Sequence, residues 1–348
     1  MRTAEFDYEL PAERIAQRPV EPRDAARLMV VERATGRIEH RVFREIGAFL
    51  RPGDLLVVND TRVIPARLVG ARVPSGGRVE LLLLRRRSLD TWEVLARPAR
   101  RLQPGAKLEF GGGLLRGEVV GFTDAGGRLV RFAWEQEGEP AADSFEAVLD
   151  RLGQMPLPPY IREPLDDPER YQTVYARQKG AAAAPTAGLH FTPELLARLK
   201  EQGVGVASIT LHVGLGTFRP VTSERVEEHV MHAEYFALPA ATAAAVAAAK
   251  ERGSRVVAVG TTVVRTLETA ADASGRVRPG EGWTEIFIYP GYTFRCVDAL
   301  ITNFHLPRST LLMLVAAFAG RELIMRCYRE AIEAEYRFFS FGDAMLIL

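Results

Sequence analysis

Residues 66–134 read as short β-prone runs, "ARLVGARV", "RVELLLLRR", "TWEVLARP", "KLEF", "LRGEVVGFT" and "RLVRFAW", separated by "PSGG", "QPG", "GGG" and "DAGG". Runs of this length between glycine-rich turns are the pattern of a small all-β barrel or sandwich, and six of them predict a six-stranded barrel. On either side the rhythm changes. "DLLVVN" precedes the β region. After it come the helix "TPELLARLKEQG", the strand "VASITLHV", the helix "PAATAAAVAAAKERG", the strand "RVVAVGTT", the helix "VRTLETAA" and the strands "EIFIY" and "DALITNF". Strands alternating with helices define an α/β domain. The predicted architecture is therefore a discontinuous α/β domain, residues 1–64 and 151–348, interrupted by a β-barrel at 65–150, with "GQMPLPPYIREP" (153–164) as the return linker. The amphipathic stretch "RELIMRCYREAIEAEY", with Leu323, Ile324, Cys327 and Ala331 on one face, adds a late helix.

A chain of 348 residues that is 47% hydrophobic can bury a sizeable core. Forty-five basic against 44 acidic residues give a formal charge of +1, so a polyanionic partner would have to be met by a local patch. Two cysteines, Cys296 and Cys327, form no CxxC pair and fit free thiols in a reducing compartment. "MRTAEFDYELP" lacks the charged and apolar regions of a signal peptide, and "TLLMLVAAFAG" is too short to span a bilayer. The expectation is a soluble cytoplasmic protein with no membrane partner.

Polar residues recur where strands end. Asn59, Asp60, Thr61 and Arg62 follow "DLLVV"; His212, Gly214, Gly216 and Thr217 follow "ASITL"; Thr261, Thr262, Arg265 and Glu268 follow "VVAVG"; Thr302, Asn303 and His305 close "DALITNFH". In α/β sheets ligands sit beyond the carboxyl ends of strands, and four such seams in one domain point to a shared rim. "VGLGTF" is not a dinucleotide loop, because the spacing is not GxGxxG and Pro220 stands where the phosphate-binding helix would begin. His229 and His232 stand three apart without an HExxH motif, so no metal is expected. His190 and His212 suit general acid or base roles, since histidine exchanges protons near neutral pH. In the predicted barrel, Arg85, Arg86, Arg87, Arg97, Arg100 and Arg101 form the basic concentration best placed to face a polyanion.

The blocks "FDYELP", "IAQRPVEPRDAARLMV", "VVNDTRVIPARL", "YQTVYARQKGAAAAPTAGLHFT", "ITLHVGLGTFRPV", "MHAEY", "GTTVVRTLE", "IFIYPGYTFRCVDALITNFHLPRSTLLMLVAAFAG" and "YRFFSFGDAMLIL" resemble the S-adenosylmethionine:tRNA ribosyltransferase-isomerase family of queuosine biosynthesis. The resemblance covers nearly the whole chain outside the β insertion; Ala233 and Val263 stand where the family often has serine. It implies a barrel-like α/β domain with an inserted β-barrel. It also implies transfer and isomerisation of the ribosyl moiety of S-adenosylmethionine onto 7-aminomethyl-7-deazaguanine at the tRNA wobble position, giving epoxyqueuosine, adenine and methionine. S-adenosylmethionine is then a consumed substrate, no cofactor is called for, and the partner is a tRNA with a GUN anticodon, met by a monomer.

That reaction needs a neutral attacking amine, removal of a proton beside the sulfonium, and a proton for the departing adenine. The expectation is that His190 and His212 share these transfers, with Asp60, Glu268 or Asp343 as alternative carboxylate bases. Asn59, Thr61, Thr217, Thr262, Asn303 and His305 are candidates for binding substrate. Tyr289 and Tyr292, with Phe294, offer ring faces to a sulfonium or an unstacked base. Arg62, Arg265 and Arg295 could meet phosphates or a carboxylate, and Arg85, Arg86, Arg87, Arg100 and Arg101 the tRNA backbone. Two rival readings are an S-adenosylmethionine-dependent RNA methyltransferase and a non-catalytic tRNA-binding module.

Overall fold

In the computed structural model, which describes residues 1–123, 126–134, 144–214 and 221–348, the chain enters through strands β1 (Arg27–Glu32), β2 (Arg37–Val42) and β3 (Leu55–Asn59). Strand β4 (Thr61–Val63) then leads into the insertion. There β5 (Arg67–Val73), β6 (Arg78–Arg86), β7 (Thr91–Arg97), β8 (Lys107–Phe110), β9 (Leu115–Phe122) and β10 (Arg128–Trp134) close into an antiparallel barrel in the order β10-β7-β6-β5-β8-β9. Inward positions alternate with outward ones along each strand, so that Val79, Leu81 and Leu83 of β6 face Val94, Leu108, Val119 and Val130 in one core.

Helix α1 (Phe145–Leu152), capped by Ser144, belongs to this unit. Phe145 lies against Trp92 at 5.6 Å, Phe132 at 5.3 Å and Trp134 at 5.5 Å. The inserted unit accordingly spans residues 63–157, and residues 1–62 with 158–348 form the other. Its later end lies past the residue-150 boundary read from composition, because an amphipathic helix carries no all-β signature yet buries its apolar face on the barrel.

The second unit continues with β11 (Gln178–Ala181), α2 (Pro193–Glu201), β12 (Gly205–Leu211), β13 (Glu234–Leu238), α3 (Ala240–Glu251), β14 (Val256–Val259), α4 (Thr261–Ala270), β15 (Gly280–Thr284), β16 (Ala299–Asn303), α5 (Thr310–Ala319), α6 (Arg321–Glu333) and β17 (Ala344–Ile347). Its nine-stranded sheet runs β15-β13-β12-β3-β14-β16-β17-β1-β2. The end strands β15 and β2 do not pair with each other among the described residues, so the barrel-like expectation for this unit is met by an open mixed sheet. Every residue of β3, β14, β16 and β17 is buried, the signature of strands covered on both faces.

Successive residues alternate between two cores. Val57, Ala258, Leu300 and Met345 pack with α3, α4, α5 and α6, whereas Val58, Val257, Ile301 and Leu346 pack with α2 and the turn around Phe43 and Ile46. Each such side chain contributes roughly 1.5–3 kcal/mol of apolar burial. The run "EIFIY" is not a strand. β15 is the preceding "GEGWT", whose Thr284 pairs with Glu234 at the start of β13, and among the described residues the ladder ends there. Ile288 is nonetheless buried in the core.

Candidate active site

Strands β12, β3, β14 and β16 are mutually parallel. Their carboxyl ends, Leu211, Asn59, Val259 and Asn303, therefore reach the same edge of the sheet. β17 runs antiparallel to β16, with Ala344 opposite Asn303, and brings residues 339–343 to that edge as well. The four polar seams thus meet as a rim. Within it the side chains fall into a cavity and a neighbouring cluster.

The cavity is open to solvent, and about 640 Å³ of space, part of it open solvent, lies between its walls. Gly260, Thr261 and Thr262 line it from the start of α4, Thr302, Asn303 and His305 from the end of β16, and Tyr160, Phe339 and Ser340 from the loops. Tyr160 and Ser340 are linked through their hydroxyls at 2.7 Å. His305 is buried, with Nε2 2.8 Å from the Thr302 hydroxyl, and desolvation pushes its pKa down to about 3. Its backbone N–H is bonded to the Tyr328 hydroxyl, and its carbonyl accepts from the Tyr8 hydroxyl. Asn303 donates Nδ2 to the Phe339 carbonyl at 2.9 Å and lies 3.3 Å from His190 Nε2. His190 is buried against the Phe43 ring, and desolvation lowers its pKa to about 4. It faces a smaller recess beside Arg23, Arg170 and Gly342.

The neighbouring cluster forms where β3 and β12 end. Asn59 is fully engaged there. Its Nδ2 donates to the Leu211 carbonyl and to Thr262 Oγ1, and its Oδ1 accepts from the N–H groups of Leu211 and Thr61. It stitches β3, β12 and α4 together and has no group left for a ligand. His212 is half-buried, its Nδ1 2.8 Å from the Thr61 hydroxyl and its ring stacked on Tyr235. Burial lowers its pKa while the Asp60 carboxylate opposes the shift. Asp60 itself accepts from the Thr210 hydroxyl at 2.7 Å. Gly180, at φ +151°, lets the backbone pass close under the imidazole: a Cβ there would lie 2.6 Å from His212 Nε2.

Other sequence candidates are placed away from the cavity. Arg265 is buried in an ion pair with Glu234 and also donates to the carbonyls of Ile286 and Thr284; Glu234 in turn accepts from the Gly214 N–H at 2.8 Å. Glu268 accepts from the N–H groups of Arg295, Cys296 and Val297 and from the Tyr292 hydroxyl, and so anchors the loop rather than taking protons. Asp343 accepts from the N–H groups of Arg27 and Arg337, and burial raises its pKa. Arg62 pairs with Glu169. Tyr289 and Phe294 pack on the core, Phe294 edge-on to Phe318. Thr217 and Gly216 lie outside the described residues.

The barrel arginines form no single patch. Arg86 stands opposite Trp92 at one end of the β6–β7 ladder and Arg97 opposite Glu80 at the other. Arg86 pairs with Glu146 and Arg87 with Glu93. Arg100 and Arg101 are exposed on a turn braced by buried Arg128, which donates to the carbonyls of Leu102 and Ala99. Sequence reasoning missed Glu234, Tyr160 and Ser340. Glu234 was within view in "MHAEY", but nothing local marks it as the partner of an arginine 31 residues away.

An α/β sheet with a solvent-open cavity at the carboxyl ends of its parallel strands, and a titratable cluster beside it, has the organisation of a small-molecule-processing enzyme. A family model described as queuosine biosynthesis protein matches residues 3–347. The S-adenosylmethionine:tRNA ribosyltransferase-isomerases of Moorella thermoacetica and Symbiobacterium thermophilum are 64% and 63% identical, each over the full length of both chains. The crystal structure of the S-adenosylmethionine tRNA ribosyltransferase of Thermotoga maritima is 43% identical, covers 99% of this chain and 100% of its own, and superposes with a TM-score of 0.56. The chain therefore belongs to the queuosine biosynthesis family of S-adenosylmethionine:tRNA ribosyltransferase-isomerases and is an enzyme of that transferase class. Of the two departures from the family pattern, Val263 is buried in the core and Ala233 is exposed.

Proposed function

We propose that the enzyme transfers and isomerises the ribosyl moiety of S-adenosylmethionine onto 7-aminomethyl-7-deazaguanine at the wobble position of GUN-anticodon tRNAs, releasing adenine and methionine and leaving epoxyqueuosine. The observation that carries this reading is the solvent-open cavity at the carboxyl edge, where the ends of the parallel strands bring Thr261, Thr262, Thr302, Asn303 and His305 together. The names of the relatives supply the substrate class. S-adenosylmethionine is consumed, so the reading needs no cofactor and no metal. The chain acts in the cytoplasm as a monomer; no helix among the described residues is long and apolar enough to cross a membrane.

His212 is the proton carrier in this reading. It is half-buried, its Nδ1 is oriented by Thr61, and Asp60 lies close enough to favour the imidazolium as it forms. His190 is better suited to stay neutral and hold Asn303 in place. The test is incubation of the purified chain with S-adenosylmethionine and tRNA bearing the aminomethyl-deazaguanine, followed by mass spectrometry of small molecules and digested nucleosides. Adenine, methionine and epoxyqueuosine are expected. S-adenosylhomocysteine with a methylated nucleoside would identify a methyltransferase, and intact S-adenosylmethionine a binding module.

Arg100 and Arg101 are the barrel arginines proposed to meet tRNA phosphates, since Arg86 and Arg87 already have carboxylate partners. Replacing both with alanine is expected to weaken tRNA binding and to reduce the slope of log affinity against log salt by about one to two. An unchanged slope would assign the tRNA contact to another surface.

A further inference from the structure

We propose that the cavity at the carboxyl edge seats the adenine ring of S-adenosylmethionine, and that Asn303 Oδ1 selects that ring by accepting a hydrogen bond from its exocyclic amine. The proposal rests on the reading above, that the enzyme consumes S-adenosylmethionine.

The orientation of the Asn303 amide is fixed by its neighbours. The Phe339 carbonyl can only accept, so the amide nitrogen must face it at 2.9 Å. The second N–H points to His190 Nε2 at 3.3 Å. Buried against Phe43, His190 is held neutral, so its Nε2 is free to accept and its proton sits on Nδ1. Both amide hydrogens are therefore engaged, and Oδ1 is left as a buried acceptor with no partner. A buried acceptor without a donor is costly, and a native structure completes one with a ligand or an ordered water. The missing group is a hydrogen-bond donor.

The walls narrow the choice. Among the described residues that line the cavity, none carries a formal charge at neutral pH: His305 and Asn303 are neutral, and the rest are hydroxyl or apolar side chains such as Pro185, Leu306, Leu311 and Phe339. Moving an ammonium, carboxylate or sulfonium into such a lining without a counter-charge is strongly unfavourable. The methionine end of the substrate and a protonated aminomethyl group would find no counter-charge among these described residues, whereas a neutral ring needs none. A flat, neutral ring bearing an N–H donor fits, and the adenine amine supplies one. A purine without that amine would leave Oδ1 unpaired, and a 6-oxo ring would set oxygen against oxygen.

Calorimetric titration of the full chain, without tRNA, with S-adenosylmethionine and with its analogue carrying unsubstituted purine tests this, alongside steady-state turnover with tRNA. The wild-type enzyme is expected to bind the purine analogue about 10- to 100-fold more weakly. Asn303→Ala is expected to weaken S-adenosylmethionine by a similar factor, bring the two ligands within about threefold of each other, and leave the KM for tRNA unchanged. Equal binding of both ligands by the wild-type protein, a comparison that needs no variant to fold, would overturn the proposal. So would an Asn303→Ala effect on the KM for tRNA instead of on S-adenosylmethionine, which would seat the deazaguanine in the cavity. Release of adenine and methionine without discrimination would remove the adenine seat alone; absence of both S-adenosylmethionine binding and turnover would remove the reaction reading and the proposal with it.

Discussion

An Arg265→Met variant is expected to lose about 3–5 kcal/mol of stability, because it removes the guanidinium buried against the Glu234 carboxylate. Both side chains are about 95% buried, so water cannot replace the lost partner. The double variant Glu234→Gln with Arg265→Met removes both charges and is expected to recover most of that loss, since the desolvation of two ions offsets much of their attraction. Urea unfolding midpoints of the four proteins in this cycle provide the measurement. A single-variant loss under about 1 kcal/mol would mean that the pair is screened as a surface bridge is. Glu234 also accepts from the Gly214 N–H, two residues after His212. Turnover should therefore fall in Arg265→Met even at temperatures where it remains folded, while an effect confined to substrate affinity would instead mark Arg265 as a ligand.

Acid should destabilise this enzyme sharply below pH 6.5. Desolvation lowers the pKa of His190 from 6.5 to about 4 and that of His305 to about 3. Between those values and 6.5 the unfolded chain binds protons that the folded chain refuses, so stability rises with pH through the window. The contribution is complete above pH 6.5 and is lost progressively as pH falls toward the folded values. For His190 alone the loss is on the order of 3 kcal/mol by pH 4, a large part of the stability of an ordinary domain. Thermal or urea midpoints at pH 7, 5.5 and 4.5 should show this acid limb. His190→Gln keeps an oxygen that can accept from Asn303 and removes the titration, so its limb should be shallower; a limb of unchanged slope would place the acid sensitivity elsewhere.

Most of the architecture was legible in the chain because period and punctuation are local. The six strands of the barrel follow from runs separated by glycine-rich turns, and α2 starts at Pro193 behind its Thr192 cap, as "TPELL" indicates. The four polar seams were readable for a similar reason: each is a short break after an apolar strand. β1, β2 and β17 were not read as strands from their patterns. β17 and β1 are adjacent in the sheet although more than 300 residues separate them, and nothing local in "DAMLIL" names its neighbours.

What each rim residue does was decided only by the tertiary structure. Asn59 and Asn303 look alike as asparagines closing buried strands. Asn59 meets two N–H groups and a carbonyl from its neighbours and is saturated, whereas Asn303 meets a carbonyl and an imidazole that occupy only its nitrogen. Glu268 and Asp343, plausible bases by residue type, are filled by backbone N–H groups from segments distant in sequence or folded back upon them. Arg265, an apparent anion binder, has Glu234 in its fork. The sequence by itself determined the strand and helix rhythm, the insertion and the set of polar residues at strand ends, because these depend on neighbours a few positions away. The free or satisfied state of each polar group depends on which remote donors and acceptors the parallel sheet brings within about 3 Å, and that is settled only when the chain has folded.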